Sequence, residues 1–164
     1  MNTKKFITII AALFAAFVLA VILIKPPSIQ PSAHVNTAGE VHSMKVYRSP
    51  DCGCCANWIA YMQAKAYEIE VINTDDVESV KSEYQIPKQL FACHTTIIND
   101  GQYFVEGHIP EEAIVQLMEN EPDIKGIGMP GMPMASPGMP GTKMEPFDIS
   151  QVHPDGSISS FMSL

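Results

Sequence analysis

The stretch Met44-Lys-Val-Tyr-Arg48-Ser-Pro-Asp-Cys52-Gly-Cys54-Cys55 decides how the rest of the chain is read. Met44 to Arg48 has the short alternation of apolar and polar side chains that marks a strand. Ser49-Pro50-Asp51 is a turn that also brings helix-capping oxygens. From Cys54 to Ala66 the apolar residues Trp58, Ile59, Met62 and Ala66 recur at helical spacing. A strand leading into Cys-x-x-Cys at the head of a helix is the signal of a thioredoxin-like fold. Here Cys52 and Cys55 form that pair, and Cys54 is an extra thiol between them.

Working outward, Glu68 to Ile72 alternates as a second strand, and Asp75-Asp76 opens a helix carrying Val77, Val80 and Tyr84. Ile86-Pro87 stops that helix. Thr95 to Ile98 and Tyr103 to Val105 flank Asn99-Asp-Gly-Gln102, a compact hairpin connection. Pro110-Glu-Glu-Ala opens a last helix through Ile114, Leu117 and Met118, with acids favourably placed in its first turn. The predicted order over residues 44–120 is β-α-β-α-β-β-α, an α/β thioredoxin-like sandwich with helices on both faces of a small mixed sheet. Beyond Asn120 the composition changes abruptly. Residues 121–164 read as a Pro/Gly/Met-rich arm, wrapped on the domain or free, in which Phe147-Asp-Ile and Ile158 to Phe161 frame a small terminal hairpin.

At the other end, Lys4-Lys5 precedes an apolar run from Phe6 to Ile24, interrupted only by Thr8 and closed by Lys25-Pro26-Pro27. Such a run is long enough to cross a bilayer as a helix, and longer than an ordinary signal-peptide core. Residues 1–25 therefore read as an uncleaved signal anchor in preference to a cleaved signal, with the N-terminus in the cytoplasm. Residues 26–43 read as a tether, in which His34 and His42 are solvated. The domain is then exported to the periplasm and held at the inner membrane through residues 6–24. With 164 residues and a net charge of −8, the chain suits one domain and offers no basic stripe for nucleic acid. It is expected to be monomeric.

Outside the cytosol, thiols become disulfides unless a metal or a reductant protects them. A helix N-terminus lowers the pKa of nearby thiols, and Cys52 and Cys55 can converge on one ligand or bond to each other. In the predicted topology Cys93-His94-Thr95, just before the third strand, faces that loop and brings a fourth thiol and an imidazole. Four thiolates and a His suit a soft metal such as Cu(I), and several thiolate-bridged ions fit so tight a loop better than one. Zinc would accept the same donors, although its structural sites usually space their ligand pairs more widely. Met129, Met132, Met134, Met139 and Met144 add thioethers that either bind Cu(I) or pack as adaptable apolar side chains. The four cysteines could instead form two disulfides, for which adjacent Cys54 and Cys55 are awkward. His108, in Glu106-Gly-His-Ile-Pro110, reads as a hydrogen-bonded polar residue or an outer ligand; His153 reads as solvated. No Ser-His-Asp arrangement, phosphate loop or spaced carboxylate pair supports a hydrolase or kinase.

Tyr47-Arg-Ser-Pro-Asp-Cys-Gly-Cys-Cys55, Cys93-His-Thr95, Val105-Glu-Gly-His-Ile-Pro110 and Pro130-Gly-Met-Pro133 together resemble the CopG-type family, exported metal-binding proteins associated with copper resistance. The resemblance spans roughly residues 44–149. It implies a thioredoxin-like fold, a periplasmic location and copper held by Cys52, Cys54, Cys55 and Cys93, with His94 and His108 beside them. It also implies a multinuclear Cu(I)–thiolate cluster, a copper oxidoreductase role and other periplasmic copper-handling proteins as partners. The chain departs from the family pattern at Met129 and Met134 and in its anchor-like N-terminal span. On the residues alone it is a metal-binding protein more than an enzyme. The reading from another class is a thiol–disulfide oxidoreductase with Cys52 as nucleophile and Cys55 as resolver. Against it, such enzymes place a cis-Pro before the third strand, where this chain has Cys93-His94-Thr95.

Overall fold

Ser43–Arg48 (β1) lies at the centre of the first half of a seven-stranded mixed sheet, and a computed structural model of the chain describes residues 43–164. The anchor at 6–24 and the tether up to residue 42, with both of its histidines, lie outside the described residues, and Ser43, read as the end of the tether, belongs to β1. Among the described residues no helix is long and apolar enough to cross a membrane.

Gly53–Ala64 (α1) follows β1 directly, then Glu68–Asn73 (β2) returns parallel to β1. Val77–Glu83 (α2) starts at Asp76, whose carboxylate accepts the Ser79 backbone N–H at 3.0 Å and the Ser79 hydroxyl at 2.6 Å. His94–Ile98 (β3) and Tyr103–Glu106 (β4) form the hairpin, and Glu111–Asn120 (α3) begins after Pro110 with Glu111 and Glu112 in its first turn. The strand order β2-β1-β3-β4 with β3 antiparallel to β1 gives the predicted thioredoxin-like arrangement.

The sheet then continues where composition predicts only an arm and a hairpin. Gly126–Gly128 (β5) adds parallel to β4, and Asp148–Val152 (β6) and Ile158–Ser163 (β7) extend the sheet antiparallel beyond it. The hairpin is therefore present, but as two strands of the main sheet. A Gly-Ile-Gly strand carries no alternation to read. It forms because Gly126 admits the neighbouring chain: a Cβ there would stand 2.2 Å from the Phe104 carbonyl oxygen.

The strand alternation divides the apolar residues between two faces. On one face α1 and α3 bury Trp58, Met62, Ile114 and Leu117 against Val46, Ile98, Val105 and Ile127. On the other, Ile86 and Leu90 cover Ile97, Phe104 and Val152. His94 lies on the α1 face, its ring centroid 4.7 Å from that of Trp58. Thr95 and Glu106, one rung of the β3–β4 ladder, carry the opposite face at the same end of the sheet.

Candidate metal centre

The site forms where the C-terminal end of β1 meets the start of α1. Cys52 caps that helix, its Sγ accepting the Cys55 backbone N–H at 3.3 Å, and Ser49 O closes the preceding turn by accepting the Cys52 N–H at 3.1 Å. Cys52 and Cys55 are joined as a disulfide, with their Cα atoms 5.3 Å apart. Cys54 and Cys93 are free thiols. Cys54 Sγ lies 3.5 Å from Cys52 Sγ and 4.0 Å from Cys93 Sγ, so the start of β3 faces the loop as the topology predicts.

Two overlapping donor groups result, each with its ligand atoms within 4.8 Å of one another. One is Cys52, Cys54, Cys55 and Cys93; the other is Cys55, Cys93, His94 and His108. All six predicted site residues are thus in one place, with Cys55 and Cys93 common to both groups. The first group is all sulfur, a soft donor set suited to Cu(I), whereas the second mixes two sulfurs with two imidazoles and suits borderline ions as well.

Each imidazole is buried. The hydrogen on His108 is placed by its partners. Pro137 O, 2.7 Å from Nδ1, can only accept, so Nδ1–H donates and the Nε2 lone pair faces Cys93 Sγ at 3.0 Å. A carbonyl behind a ring nitrogen is how proteins orient metal-binding histidines. Burial lowers the His108 pKa against the opposing pull of that carbonyl. His94 is held well below the usual imidazole range, first by burial, then by the charges of His108, Lys81 and Arg48. Its Nδ1 is 3.5 Å from Cys93 Sγ, and its buried Nε2 has no hydrogen-bond partner. A neutral imidazole with one buried ring nitrogen left without a partner and the other against a thiol fits a metal ligand. Burial pushes the Cys93 thiol up to about 12, with the neighbouring Cys54 adding to the rise.

Several supporting residues escape sequence reasoning. The arm closes over the site at Ser136-Pro137-Gly138: Gly138 O accepts the Asn57 side-chain N–H at 3.3 Å, and Ser136 is buried. Trp58 looks like an ordinary core residue by its spacing, yet its ring lies on His94 while its Nε1 donates to Ile109 O at 2.9 Å. Below the Cys93 loop, on the opposite sheet face, Lys81 and Glu106 form a buried ion pair. Thr95 donates to Glu106 Oε2 at 2.6 Å, and the Ala92 N–H donates to Oε1 at 2.6 Å. Desolvation raises the Glu106 pKa despite these donors. A signal existed for the pair: Lys81 falls on the Val77/Tyr84 side of α2, and Glu106 extends an inward-facing strand. The Met residues divide. Met129 packs in the core, whereas Met132, Met134 and Met144 are exposed. His153, read as solvated, is half-buried, with Nε2 2.8 Å from Ser159 Oγ.

Residues 90–139 match the model of a protein family described as "Protein of unknown function, DUF411". Two solved structures of a copper resistance protein copG, Form 2 and Form 1, are similar along most of the chain. Each is 32% identical and covers 76% of this chain; 99% and 98% of their own chains are matched, with TM-scores of 0.71 and 0.70. No curated protein matches. At 32% identity over nearly the full length of those structures, this chain belongs to the CopG-type family.

Proposed function

We propose that the chain is a periplasmic copper-binding protein, held at the inner membrane by residues 6–24, that takes Cu(I) at Cys52, Cys54, Cys55 and Cys93 with His94 and His108 beside them. It serves copper resistance by sequestering the ion, handing it to other periplasmic copper-handling proteins, or cycling it with Cu(II). The observation that carries the reading is the convergence of four sulfurs and two buried neutral imidazoles in two donor groups sharing Cys55 and Cys93. An all-thiolate ligand set needs the Cys52–Cys55 disulfide reduced, so copper capture and thiol redox state are linked in this reading.

An anaerobic Cu(I) titration of the reduced protein tests it, with metal analysis, thiol counting and the emission of Trp58, the single Trp, as readouts. Several Cu(I) per chain are expected, with Trp58 quenched through the adjacent His94 ring, and a lower stoichiometry for Cys54→Ser. Saturation unchanged by Cys54→Ser would sink the thiolate-cluster reading.

The pH dependence follows from Cys93. Its thiol, pushed up to about 12, is protonated at neutral pH, and a metal must displace that proton. The apparent Cu(I) affinity should rise from pH 6 to pH 8, roughly tenfold per unit for each proton released. A chromophoric Cu(I) competitor measures this, and a flat profile would contradict the assignment of Cys93 as a ligand.

The Cys52–Cys55 disulfide at a helix N-terminus also favours a second reading, a thiol–disulfide oxidoreductase. Insulin-reductase activity well above that of a Cys52→Ser control, combined with no tight copper, would replace the first reading by this one.

A further inference from the structure

Arg48 is the last residue of β1, and it is only 9% exposed. Strand alternation puts it on the face of Met44 and Val46, the face that carries α1, and its register partner on β3 is His94. Among the described residues its guanidinium hydrogen-bonds only to neutral groups: Nε donates to Ser49 O at 2.9 Å, and Nη2 donates to Pro50 O. Ser49 O is the same oxygen that accepts the Cys52 N–H. One carbonyl therefore separates the guanidinium from the first cysteine of the site. Asp51, three residues on, is exposed, and no described carboxylate pairs with Arg48. The other buried cation of this region, Lys81, has Glu106. A guanidinium removed from water without an opposite charge is costly, and proteins normally supply one.

Cys52, whose N–H shares Ser49 O with the guanidinium, becomes a group that can carry negative charge once its bond to Cys55 is reduced. The disulfide is neutral, two thiolates carry two negative charges, and a monovalent ion between two thiolates still leaves one. We propose that Arg48 is the resident counter-charge of the site, stabilising the reduced, thiolate form of Cys52 and Cys55 over the disulfide and strengthening capture of the first Cu(I). The metal half of this inference rests on the copper-binding reading above; the redox half does not. The redox step is an exchange with a small thiol such as glutathione. Two glutathione thiols give two electrons to the Cys52–Cys55 bond, which opens to two thiols or thiolates as one glutathione disulfide forms.

The test uses the protein with Arg48→Met and Arg48→Lys. Thiol trapping in glutathione buffers gives the reduced-to-disulfide ratio, Cu(I) competition gives the first affinity, and thermal melting monitors the fold. Arg48→Met should shift the ratio toward the disulfide, and weaken the first Cu(I), each by about tenfold. Arg48→Lys, which keeps the charge but cannot span both carbonyls, should retain most of both. If the Met variant does not fold, Arg48→Gln, which keeps an amide donor for a carbonyl, takes its place. The proposal is overturned if Lys falls as far as Met, because the clamp on the turn is then what matters. It is equally overturned if Met lowers the melting temperature and leaves both equilibria unchanged. Absence of Cu(I) binding by the unaltered protein would fail the copper reading alone, and the glutathione equilibrium would still decide the role of Arg48.

Discussion

Gly138→Ala is expected to destabilise the protein by about 3 kcal/mol or more and to loosen the metal centre with it. Gly138 has φ +84°, a conformation strained for any residue with a Cβ. The added carbon would also stand 2.6 Å from Trp58 N and 2.8 Å from Cys54 O, both backbone atoms of α1 that cannot rotate aside. The arm must lift, and Pro137 O, which holds His108 Nδ1, lifts with it. The expected result is a melting temperature lower by on the order of 10 °C, together with weaker Cu(I) binding. Gly131→Ala is the control. Its φ of +80° is equally strained, but nothing lies within 4 Å of the new carbon, so only about 1 kcal/mol should be lost. Equal melting temperatures for the two variants would show that the arm does not press on α1 in solution.

The second large effect is expected at Lys81 and Glu106. Their side chains are 4% and 0% exposed, so removing one partner strands a charge with little water to receive it. Lys81→Met and Glu106→Gln should each cost about 3–5 kcal/mol. The double variant should recover much of that loss, because replacing both members of a buried pair leaves no lone charge. Denaturant unfolding of the four proteins gives the coupling energy directly, and additive single losses would refute the pairing. Because Glu106 also accepts the Ala92 N–H, the single variants should free the turn that presents Cys93. Thiol labelling of Cys93 should then be faster in either single variant.

The sequence shows those parts of the fold where local chemistry and tertiary demand agree. Met44 to Arg48 alternates, Asp76 caps, and Pro110 with two glutamates opens α3. The facing of Cys93 toward Cys54 follows from topology alone. Gly126–Gly128 could not be read in this way. Two glycines in three residues are a poor strand by propensity, and they become one because β4 offers an edge that a larger residue could not approach. The arm's composition excludes a helix but is silent on where it packs, since the contacts that fix it come from Asn57, Trp58 and His108. Arg48 carries no sequence signal of burial, and Lys81 carries only its place on the apolar side of α2. Their burial depends on partners remote in sequence or on a site whose charge changes.

The run from Met129 to Phe147 leaves the sheet at β5 and re-enters at β6, and these two strands are hydrogen-bonded neighbours. It is thus a loop whose ends are already together once the sheet has formed, and Pro130, Pro133, Pro137 and Pro140 narrow its freedom further. The orientation of the His108 ring is consequently inherited from folding. In the copper-binding reading proposed above, an arriving ion would meet a donor that is already aimed and would need to order no part of this loop, which would favour affinity by preorganisation.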